Sequence, residues 1–304
     1  MSEAEGVEAP APAKINLDLL VTGRDGDHHA LDTLVTFAGV LDRVTARPLP
    51  ESAGVPIGFD VTGPHAQALR SACPDPKDNL VVRAAAALRV VAERNGHAVP
   101  PVHLTLDKHL PIASGIGGGS SDAAATVEAC VKLWGLPPRM DGVRDMLSYL
   151  GADVPMCLAR RPLRATGRGQ RLARVAIPAL TVVLVNPNVV VSTAEVFARR
   201  EGDFSVMPER PEGFTDETSL VRHLAETHND LEPPARTVAP VIGDVLDRLA
   251  ATPGCLLSRM SGSGATCFGI FESVEGAVTG GKAIGAERPD WWVAVTKTVK
   301  GEST

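Results

Sequence analysis

Aromatic residues are scarce in this sequence: 7 Phe, 3 Trp and 1 Tyr account for 4% of its 304 residues. A membrane-spanning helix needs about 20 consecutive apolar residues, and no apolar run in this sequence approaches that length. The acidic first residues also lack the basic and apolar regions of a signal peptide. The 5 cysteines are scattered and do not have the spacing of metal ligands. We therefore expect a cytoplasmic protein with no membrane partner, whose cysteines stay reduced.

Charge is not strongly biased either. The formal net charge of −6 gives no reason to expect a nucleic-acid partner or binding to an anionic membrane. A chain of 304 residues is long enough for two modest domains, each with its own core. We place the division between residues 1–165 and 166–304, and we expect a monomer or a homodimer.

The most informative segment reads PIASGIGGGSSDAAA, at residues 111–125. Its glycines allow the backbone to turn N–H groups inward, and the Ala-rich part that follows predicts a helix over residues 120–133. Ser120 and Ser121 stand where an N-cap belongs, and a helix N-terminus offers unpaired donors and the positive end of its dipole. The segment therefore predicts a binding site for phosphate groups.

Two common glycine-rich nucleotide motifs fit this segment poorly. A dinucleotide-binding fingerprint needs a third glycine where this chain has Ser120. No Gly-Lys-Ser/Thr follows, as it would in a Walker-type P-loop. A partial match near the C-terminus ends in Lys282 and Ala283, which has no hydroxyl for magnesium, and we interpret it as part of a surface helix. An ordinary Gly-rich connection remains the simplest alternative.

Three further segments are candidates for function. Residues 11–21 alternate apolar and polar, which predicts a strand, placed at residues 15–21, and puts Lys14 and Asn16 side by side. The two side chains form either a ligand floor or a half-solvated edge. Asp153 stands among small and apolar residues in LGADVP, residues 150–155, either as a helix cap or as a catalytic base. The segment SGSGA, residues 261–265, predicts a tight turn before a strand.

The remaining periodicity indicates an α+β protein. Strands are predicted at residues 15–21, 35–46, 102–106, 180–185, 266–271 and 292–299. Helices are predicted at residues 80–94, 120–133, 143–150, 238–250 and 274–284. In the second half this order suits an antiparallel sheet with helices on one face.

In their order along the chain, three of these segments resemble the motifs of the GHMP kinases. They are PAKINL at residues 12–17, the loop at residues 111–125 and SGSGA at residues 261–265. Five more segments are similar to the branch of that superfamily that phosphorylates a cytidine diphosphate-linked methylerythritol: TGR at 22–24, HALDTL at 29–34, DNLVVRA at 78–84, LGADVP at 150–155 and NDLE at 229–232. The likeness spans roughly residues 9–298, and so many ordered motifs rarely coincide by chance.

The resemblance implies a two-domain fold with a ribosomal-protein-S5-like N-terminal domain and a ferredoxin-like C-terminal domain. It implies transfer of the γ-phosphoryl group of ATP, with Mg²⁺, to the 2-hydroxyl of the methylerythritol unit in the non-mevalonate isoprenoid pathway. Two alternatives remain: a sibling kinase acting on mevalonate, homoserine or a sugar, and a non-catalytic nucleotide-binding module on the same fold.

For catalysis, the resemblance implies Asp153 as the general base and Lys14 as the cation that keeps its carboxylate ionised. The residues that it implies in ATP binding are Gly115, Gly117, Gly118, Gly119, Ser120, Ser121, Lys108 and Asn79. For Lys108 a solvated charge at a strand end is an equally good interpretation on sequence grounds. The Mg²⁺ ligands stay open among Asp122, Ser120 and water.

The cytidine end departs from the family pattern. Relatives have Asp-Gly-Tyr-His, in which Tyr stacks on cytosine and His binds the base edge, whereas this chain has DGDHH at residues 25–29. We assign the hydrogen-bonding role to His29, which leaves His28 at the tyrosine position. The implied substrate contacts are Asn16, His28, His29, Thr193 and Phe197. A surface histidine pair and a plain core role for Phe197 are the alternatives.

Overall fold

The computed structural model of this mixed α/β protein describes residues 6–137 and 139–301. In chain order its strands are β1 (Val7–Asn16), β2 (Leu20–Asp25), β3 (His28–Pro48), β4 (Ile57–Thr62), β5 (Val102–Asp107), β6 (Leu163–Gly167), β7 (Arg171–Arg174), β8 (Thr181–Asn186), β9 (Cys255–Met260), β10 (Cys267–Phe271) and β11 (Trp292–Lys297). Its helices are α1 (Ala66–Ala72), α2 (Leu80–Arg94), α3 (Gly118–Leu133), α4 (Val143–Leu150), α5 (Val154–Ala159), α6 (Thr193–Ala198), α7 (Glu217–Ala225), α8 (Glu232–Val238), α9 (Val241–Ala251) and α10 (Val274–Glu287). None of these helices is long and apolar enough to cross a lipid bilayer.

The described residues form two compact units, each built from separate stretches of chain. Unit 1 comprises residues 6–13, 41–112 and 117–159, and unit 2 comprises residues 14–40, 113–116 and 160–301. Strand β3 therefore contributes to both units. The predicted domain division is instead a single cut after residue 165, and it stays a prediction.

Unit 1 contains a sheet in the order β4-β5-β3. Strands β4 and β5 are parallel, so the chain must cross over between them, and the crossover contains α1 and α2. Strand β5 lies antiparallel to the end of β3, with Arg43 opposite Asp107. Helices α2, α3, α4 and α5 pack against one another, and the small alanines of α3 are buried in this packing.

Helix α2 has the bounds that the sequence predicts. Its buried residues are Val81, Ala84, Ala85, Leu88, Val91 and Ala92. They recur at helical spacing and so form one apolar face. The Asn79 side chain accepts a hydrogen bond from the Val81 amide at 2.9 Å, which satisfies a donor that the first helical turn leaves unpaired.

Unit 2 contains an antiparallel sheet in the order β11-β8-β10-β9. The elements that build it follow one another as β8, α9, β9, β10, α10 and β11. The first strand therefore lies between the fourth and the third, with the second at the edge, which is the ferredoxin-like split βαβ arrangement. Helices α9 and α10 bury Ile242, Val245, Leu249, Ala277 and Ile284 against this sheet. The expected ferredoxin-like domain is confirmed.

The other strands of unit 2 are the first part of β3 and its neighbours. Strands β2 and β3 form a hairpin with Asp25 opposite His28. Strand β3 also pairs with β6, and β6 pairs with β7. These antiparallel pairs carry residues 28–35, which include the histidines of the predicted substrate site.

Several predicted element bounds are wrong, and β3 begins at residue 28 rather than 35. The alternating segment 15–21 is not one strand, because β1 ends at Asn16 and β2 begins at Leu20. Between them, the amides of Leu17 and Leu19 bond to carbonyl groups of two other segments. Helix α9 begins at residue 241 rather than 238, because the ring of Pro240 has no N–H to continue a preceding helix.

Candidate active site

Helix α3 begins two residues earlier than predicted, at Gly118. Its N-cap is Gly117, whose φ of 65° lies in the left-handed region that glycine adopts without strain. The predicted N-cap role of Ser120 and Ser121 is therefore wrong, since both lie inside the first turn. The amides of residues 118–120 have no acceptor within the helix, which makes this end suitable for an anion.

The two serines differ in their surroundings. Ser121 is buried, and its hydroxyl donates a hydrogen bond to the Pro12 carbonyl at 2.7 Å. Ser120 is half-buried, and a Cβ built on Gly151 would lie 3.9 Å from its Oγ. The segment that leads to Asp153 therefore runs close to the first turn of α3.

Lys108 is buried beside the same turn. Its Nζ lies 2.5 Å from Oδ2 of Asp42 and 2.8 Å from Oδ2 of Asp122, and only 2% of the residue is exposed. A Cβ built on Gly118 would lie 3.2 Å from that Nζ. The alternative of a solvated strand-end charge is wrong for Lys108, whereas its role in ATP binding stays a prediction.

The electrostatics of this ion cluster follow from its burial. Burial lowers the pKa of Lys108, but the Asp122 and Asp42 carboxylates outweigh that effect and raise it overall. Burial raises the pKa of the Asp122 carboxyl, against the opposing effect of Lys108. The ammonium is therefore kept charged, whereas burial favours the neutral form of the Asp122 carboxyl.

Asn79 has a structural role that the resemblance does not imply, as the cap of α2. Its neighbour Leu80 lies 3.3 Å, through Cδ1, from the position of a Cβ on Gly119. The beginnings of α2 and α3 are thus adjacent, which brings Asn79 near the predicted phosphate site.

Asp153 directly precedes helix α5. Its carbonyl accepts the first helical hydrogen bond, from the Cys157 amide at 2.9 Å. Pro155 occupies the first turn, where a missing N–H does no harm. Helix α5 packs on α3. Of the two interpretations of Asp153, the structure supports a position at a helix start, and the role of a base stays a prediction.

In unit 2, Lys14 and Asn16 lie side by side as predicted. Lys14 Nζ donates to Asn16 Oδ1 at 2.7 Å, and Asn16 Nδ2 donates to the Thr33 hydroxyl at 2.8 Å. Both residues are buried, with 4% and 3% exposure. The alternative of a half-solvated edge strand is therefore wrong.

The turn at residues 261–264 connects these residues with Gly115. The Ser261 hydroxyl accepts from the Asn16 amide at 3.1 Å and donates to the Gly115 carbonyl at 3.2 Å. Gly115 has a φ of 75°, and a Cβ there would lie 2.5 Å from the Ser261 carbonyl oxygen. Packing against this turn is thus a sufficient reason for glycine at 115, and phosphate contact by Gly115 stays a prediction.

Four of the five predicted substrate residues lie near the same turn or near one another, and Asn16 is the one already described. The Thr193 hydroxyl lies 2.8 Å from that of Ser263. Phe197, one helical turn later on α6, stacks on His29 with centroids 4.9 Å apart and planes at 19°. His28 is exposed and, as the preceding strand residue, projects to the opposite face. The structure thus pairs Phe197 with His29 and not with His28.

The environment of His29 favours its neutral form. Burial lowers its pKa, and the nearby Arg24 and Arg200 lower it further. Phe197 is half-buried and packs against the core of unit 2, so its interpretation as a core residue is also supported.

Sequence reasoning missed the carboxylates that organise the site. Asp42 is fully buried on β3 and pairs with Lys108. Asp18 and Asp32 are fully buried in unit 2, where both pair with Arg210. For Asp42 the sequence does contain a signal, because this charged residue lies inside the apolar segment of the predicted strand 35–46. A charge in such a place is expected to have a compensating partner. The described residues contain no group of three or more metal-ligating His, Cys, Asp or Glu side chains.

Models of a known protein family match parts of both halves of this chain. A model of the GHMP kinases N terminal domain matches residues 79–161, and one of the GHMP kinases C terminal domain matches residues 214–279. A 4-diphosphocytidyl-2-C-methyl-D-erythritol kinase of Cereibacter sphaeroides is 48% identical over 298 residues, which cover 96% of this chain and 99% of that protein.

Solved structures extend the comparison to the fold. A crystal structure of a 4-(cytidine 5'-diphospho)-2C-methyl-D-erythritol kinase aligns with a TM-score of 0.75 at 30% identity, covering 97% of this chain and 100% of that one. Homoserine kinase from Cytophaga hutchinsonii shares the fold at 17% identity, with a TM-score of 0.67 and coverage of 100% and 97%. The chain therefore has the two-domain GHMP kinase fold and belongs to the GHMP kinases, within the family of 4-diphosphocytidyl-2-C-methyl-D-erythritol kinases.

Proposed function

We propose that this protein transfers the γ-phosphoryl group of ATP to the 2-hydroxyl of 4-diphosphocytidyl-2-C-methyl-D-erythritol, in the non-mevalonate isoprenoid pathway. The observation that carries this proposal is 48% identity, over nearly the whole of both chains, to a kinase of that name. The geometry of unit 1 and the geometry of unit 2 each support this proposal.

The N-terminus of α3 is the proposed phosphate site. Its first amides lack helical acceptors, and the positive end of the dipole of a 16-residue helix favours an anion there. The buried Lys108 ammonium adds positive charge against Gly118. Phosphoryl transfer depends chiefly on such positioning and charge neutralisation, because the protein has little covalent chemistry to perform.

Asp153 is the proposed general base, and Lys14 the proposed catalytic cation. The carboxylate of Asp153 accepts the proton of the attacking hydroxyl, so that the oxygen becomes a better nucleophile as its bond to phosphorus forms. Asn16 holds the Lys14 ammonium at 2.7 Å. That contact limits the side chain to one place, which favours stabilisation of a transition state over simple substrate binding.

The pair of His29 and Phe197 is the proposed site for cytosine. A neutral imidazole and a phenyl ring both offer flat apolar faces for a pyrimidine. At a centroid distance of 4.9 Å the two rings are in direct contact, so a base between them must part them, whereas a base beside them extends the stack. Thr193 and Asn16 remain proposed contacts of the same substrate, and the part of His28 stays a prediction.

Helix α3 carries oxygen atoms of the type that bind magnesium. Asp122 Oδ1 is buried and has no hydrogen-bond partner among the described residues, and the Ser120 hydroxyl lies in the same first turns. Carboxylate and hydroxyl oxygens are the ligand type that Mg²⁺ prefers, so the residues present fit the ion. When bound with ATP, it supplies neutralisation of the charge on the transferring group.

A phosphorylation assay tests the proposed function. With ATP and Mg²⁺, we expect turnover of 4-diphosphocytidyl-2-C-methyl-D-erythritol, and no comparable turnover of mevalonate or homoserine. Cytidine diphosphate should compete with the substrate, because only a kinase for this alcohol needs to recognise cytosine. Turnover of mevalonate or homoserine alone would contradict the proposal, and ATP binding without turnover of any alcohol would favour a nucleotide-binding module.

Substitution of the proposed base tests the mechanism. In Asp153→Asn we expect kcat to fall by about 100- to 10,000-fold, with little change in KM for either substrate, because the amide cannot accept the proton but keeps the shape. The control is Asp145→Asn, an exposed carboxylate in the first turn of α4. A kcat near that of the unmodified enzyme would rule out Asp153 as the base.

A further inference from the structure

The strongest unexplained feature of unit 1 is the carboxylate of Asp42. It is fully buried, and it accepts three hydrogen bonds from one short stretch of chain. Oδ1 accepts from the amides of His109 at 2.5 Å and Leu110 at 2.8 Å, and Oδ2 accepts from Lys108 Nζ at 2.5 Å. A buried charge is expensive unless such partners compensate it, so these contacts determine the conformation of residues 108–110.

Those three residues lead directly into the Gly-rich segment. The amide bonds to Asp42 fix the chain just before Pro111, where the segment begins. The Lys108 ammonium lies against Gly118, where α3 begins. One carboxylate thereby restrains the chain ahead of the Gly-rich segment and, through Lys108, the first turn of the helix that follows it.

Asp122 alone does not explain this arrangement. It bonds Lys108 through Oδ2, but it lies on α3 itself and bonds no amide of residues 108–110 among the contacts described. Of these two carboxylates, Asp42 is the one that comes from a third element, β3, and connects it with the end of β5 and the start of α3.

We infer that Asp42 is a positioning residue for ATP binding, which holds Lys108 and the entry to the Gly-rich segment in the geometry that the phosphates require. The inference rests on the proposed function, since it assumes that ATP binds at the start of α3. Asp42 itself touches no reacting atom in this scheme and acts through Lys108 and two amides.

The test is Asp42→Asn, which keeps the size of the side chain but removes its charge and turns donors toward Lys108 or the amides. We expect KM for ATP and the dissociation constant of a non-hydrolysable ATP analogue to rise at least about tenfold. We expect KM for the alcohol to change less than about twofold. A merely structural role would lower the melting temperature or the active fraction and leave the ATP affinity of the folded molecules unchanged.

Two further variants sharpen the test. Asp60→Asn removes from β4 of the same unit an exposed carboxylate that pairs with His103, and it should leave ATP affinity unchanged. Asp42→Glu keeps the charge but displaces the carboxylate by one methylene group, so its rise in KM for ATP should be smaller, about threefold. If Asp42→Asn does not fold, Asp42→Glu carries the test, and an unchanged KM for ATP there overturns the inference.

The outcomes separate the inference from the proposed function. If the unmodified protein neither binds the ATP analogue nor turns over, the proposed function fails. If it does both and folded Asp42→Asn keeps its ATP affinity, only the positioning role is refuted.

Discussion

Gly115 and Gly118 stand three residues apart, yet they require glycine for different reasons. Gly115 has a φ of 75° and meets backbone atoms of the turn at residues 261–264. Gly118 has an ordinary helical conformation, and the nearest atom to its missing Cβ is the Lys108 ammonium. The first glycine therefore serves the packing of unit 2, and the second leaves room at the proposed phosphate site of unit 1.

Substitution of Gly118 should weaken ATP binding without unfolding the protein. In Gly118→Val the new Cβ lies 3.2 Å from Lys108 Nζ, which two carboxylates hold in place, so side chain and ligand compete for space. We expect at least about a tenfold loss of affinity for an ATP analogue, measured by calorimetry. The control is Gly285→Val on α10, where the nearest atom lies 4.0 Å away. Unchanged affinity in Gly118→Val would argue against the phosphate site.

Substitution of Gly115 should instead affect stability. Gly115→Ala combines a left-handed φ with a Cβ 2.5 Å from a backbone oxygen. We expect the free energy of unfolding in denaturant to fall by about 1–3 kcal/mol, the range for strained backbone. A variant as stable as the unmodified protein would contradict the conformation described for Gly115.

At the scale of elements, the sequence predicts the first residue of some helices and misplaces that of others. Helix α2 is predicted to the residue, since its cap Asn79 and its apolar periodicity agree. Helix α3 is not, because serine has the side chain of a typical N-cap whereas this turn uses the left-handed backbone of Gly117. A prediction based on cap side chains therefore misplaces the start of α3, because the backbone conformation of Gly117 determines it.

The first turn of α3 offers a direct test of this difference. In Ser121→Ala the Pro12 carbonyl loses its donor, and we expect the free energy of unfolding to fall by about 1 kcal/mol. Ser120→Ala is the matched variant one residue earlier, and it should change stability less while weakening binding of Mg²⁺ with ATP. Denaturant unfolding and calorimetry of both variants provide the measurements. Equal losses of stability would contradict the distinction.

At the scale of the whole molecule, what the sequence leaves undetermined is contact between distant residues. The Arg210 guanidinium lies 2.7 Å from Asp18 and 3.1 Å from Asp32, and all three side chains are almost completely buried. Arg164 makes two further bonds to Asp32, at 2.9 and 2.7 Å. Motif order identifies the family and the candidate site residues, because those motifs are local. It does not reveal which charges compensate one another across nearly two hundred residues.

The network around Arg210 yields the last prediction. Arg210→Met leaves Asp18 and Asp32 buried with too few partners, so we expect the free energy of unfolding to fall by about 3–5 kcal/mol. Arg199→Met is the control, since Arg199 forms an exposed pair with Glu195 that contributes about 1 kcal/mol or less. Denaturant unfolding measures both.

A double variant distinguishes lost charge compensation from lost packing. In Arg210→Met with Asp18→Asn, the neutral amide no longer needs the guanidinium, so the double variant should be more stable than the sum of the single effects implies. Strict additivity would mean that Arg210 acts by filling space. The Asp18 carboxylate also accepts a hydrogen bond from the Leu34 amide at 2.8 Å, and the Asp18 carbonyl accepts one from the Thr33 hydroxyl at 2.5 Å. Because Asn16 bonds Thr33, loss of the network should also change the position of the Asn16 side chain. The charges that hold unit 2 together thereby also support the proposed substrate contact of Asn16.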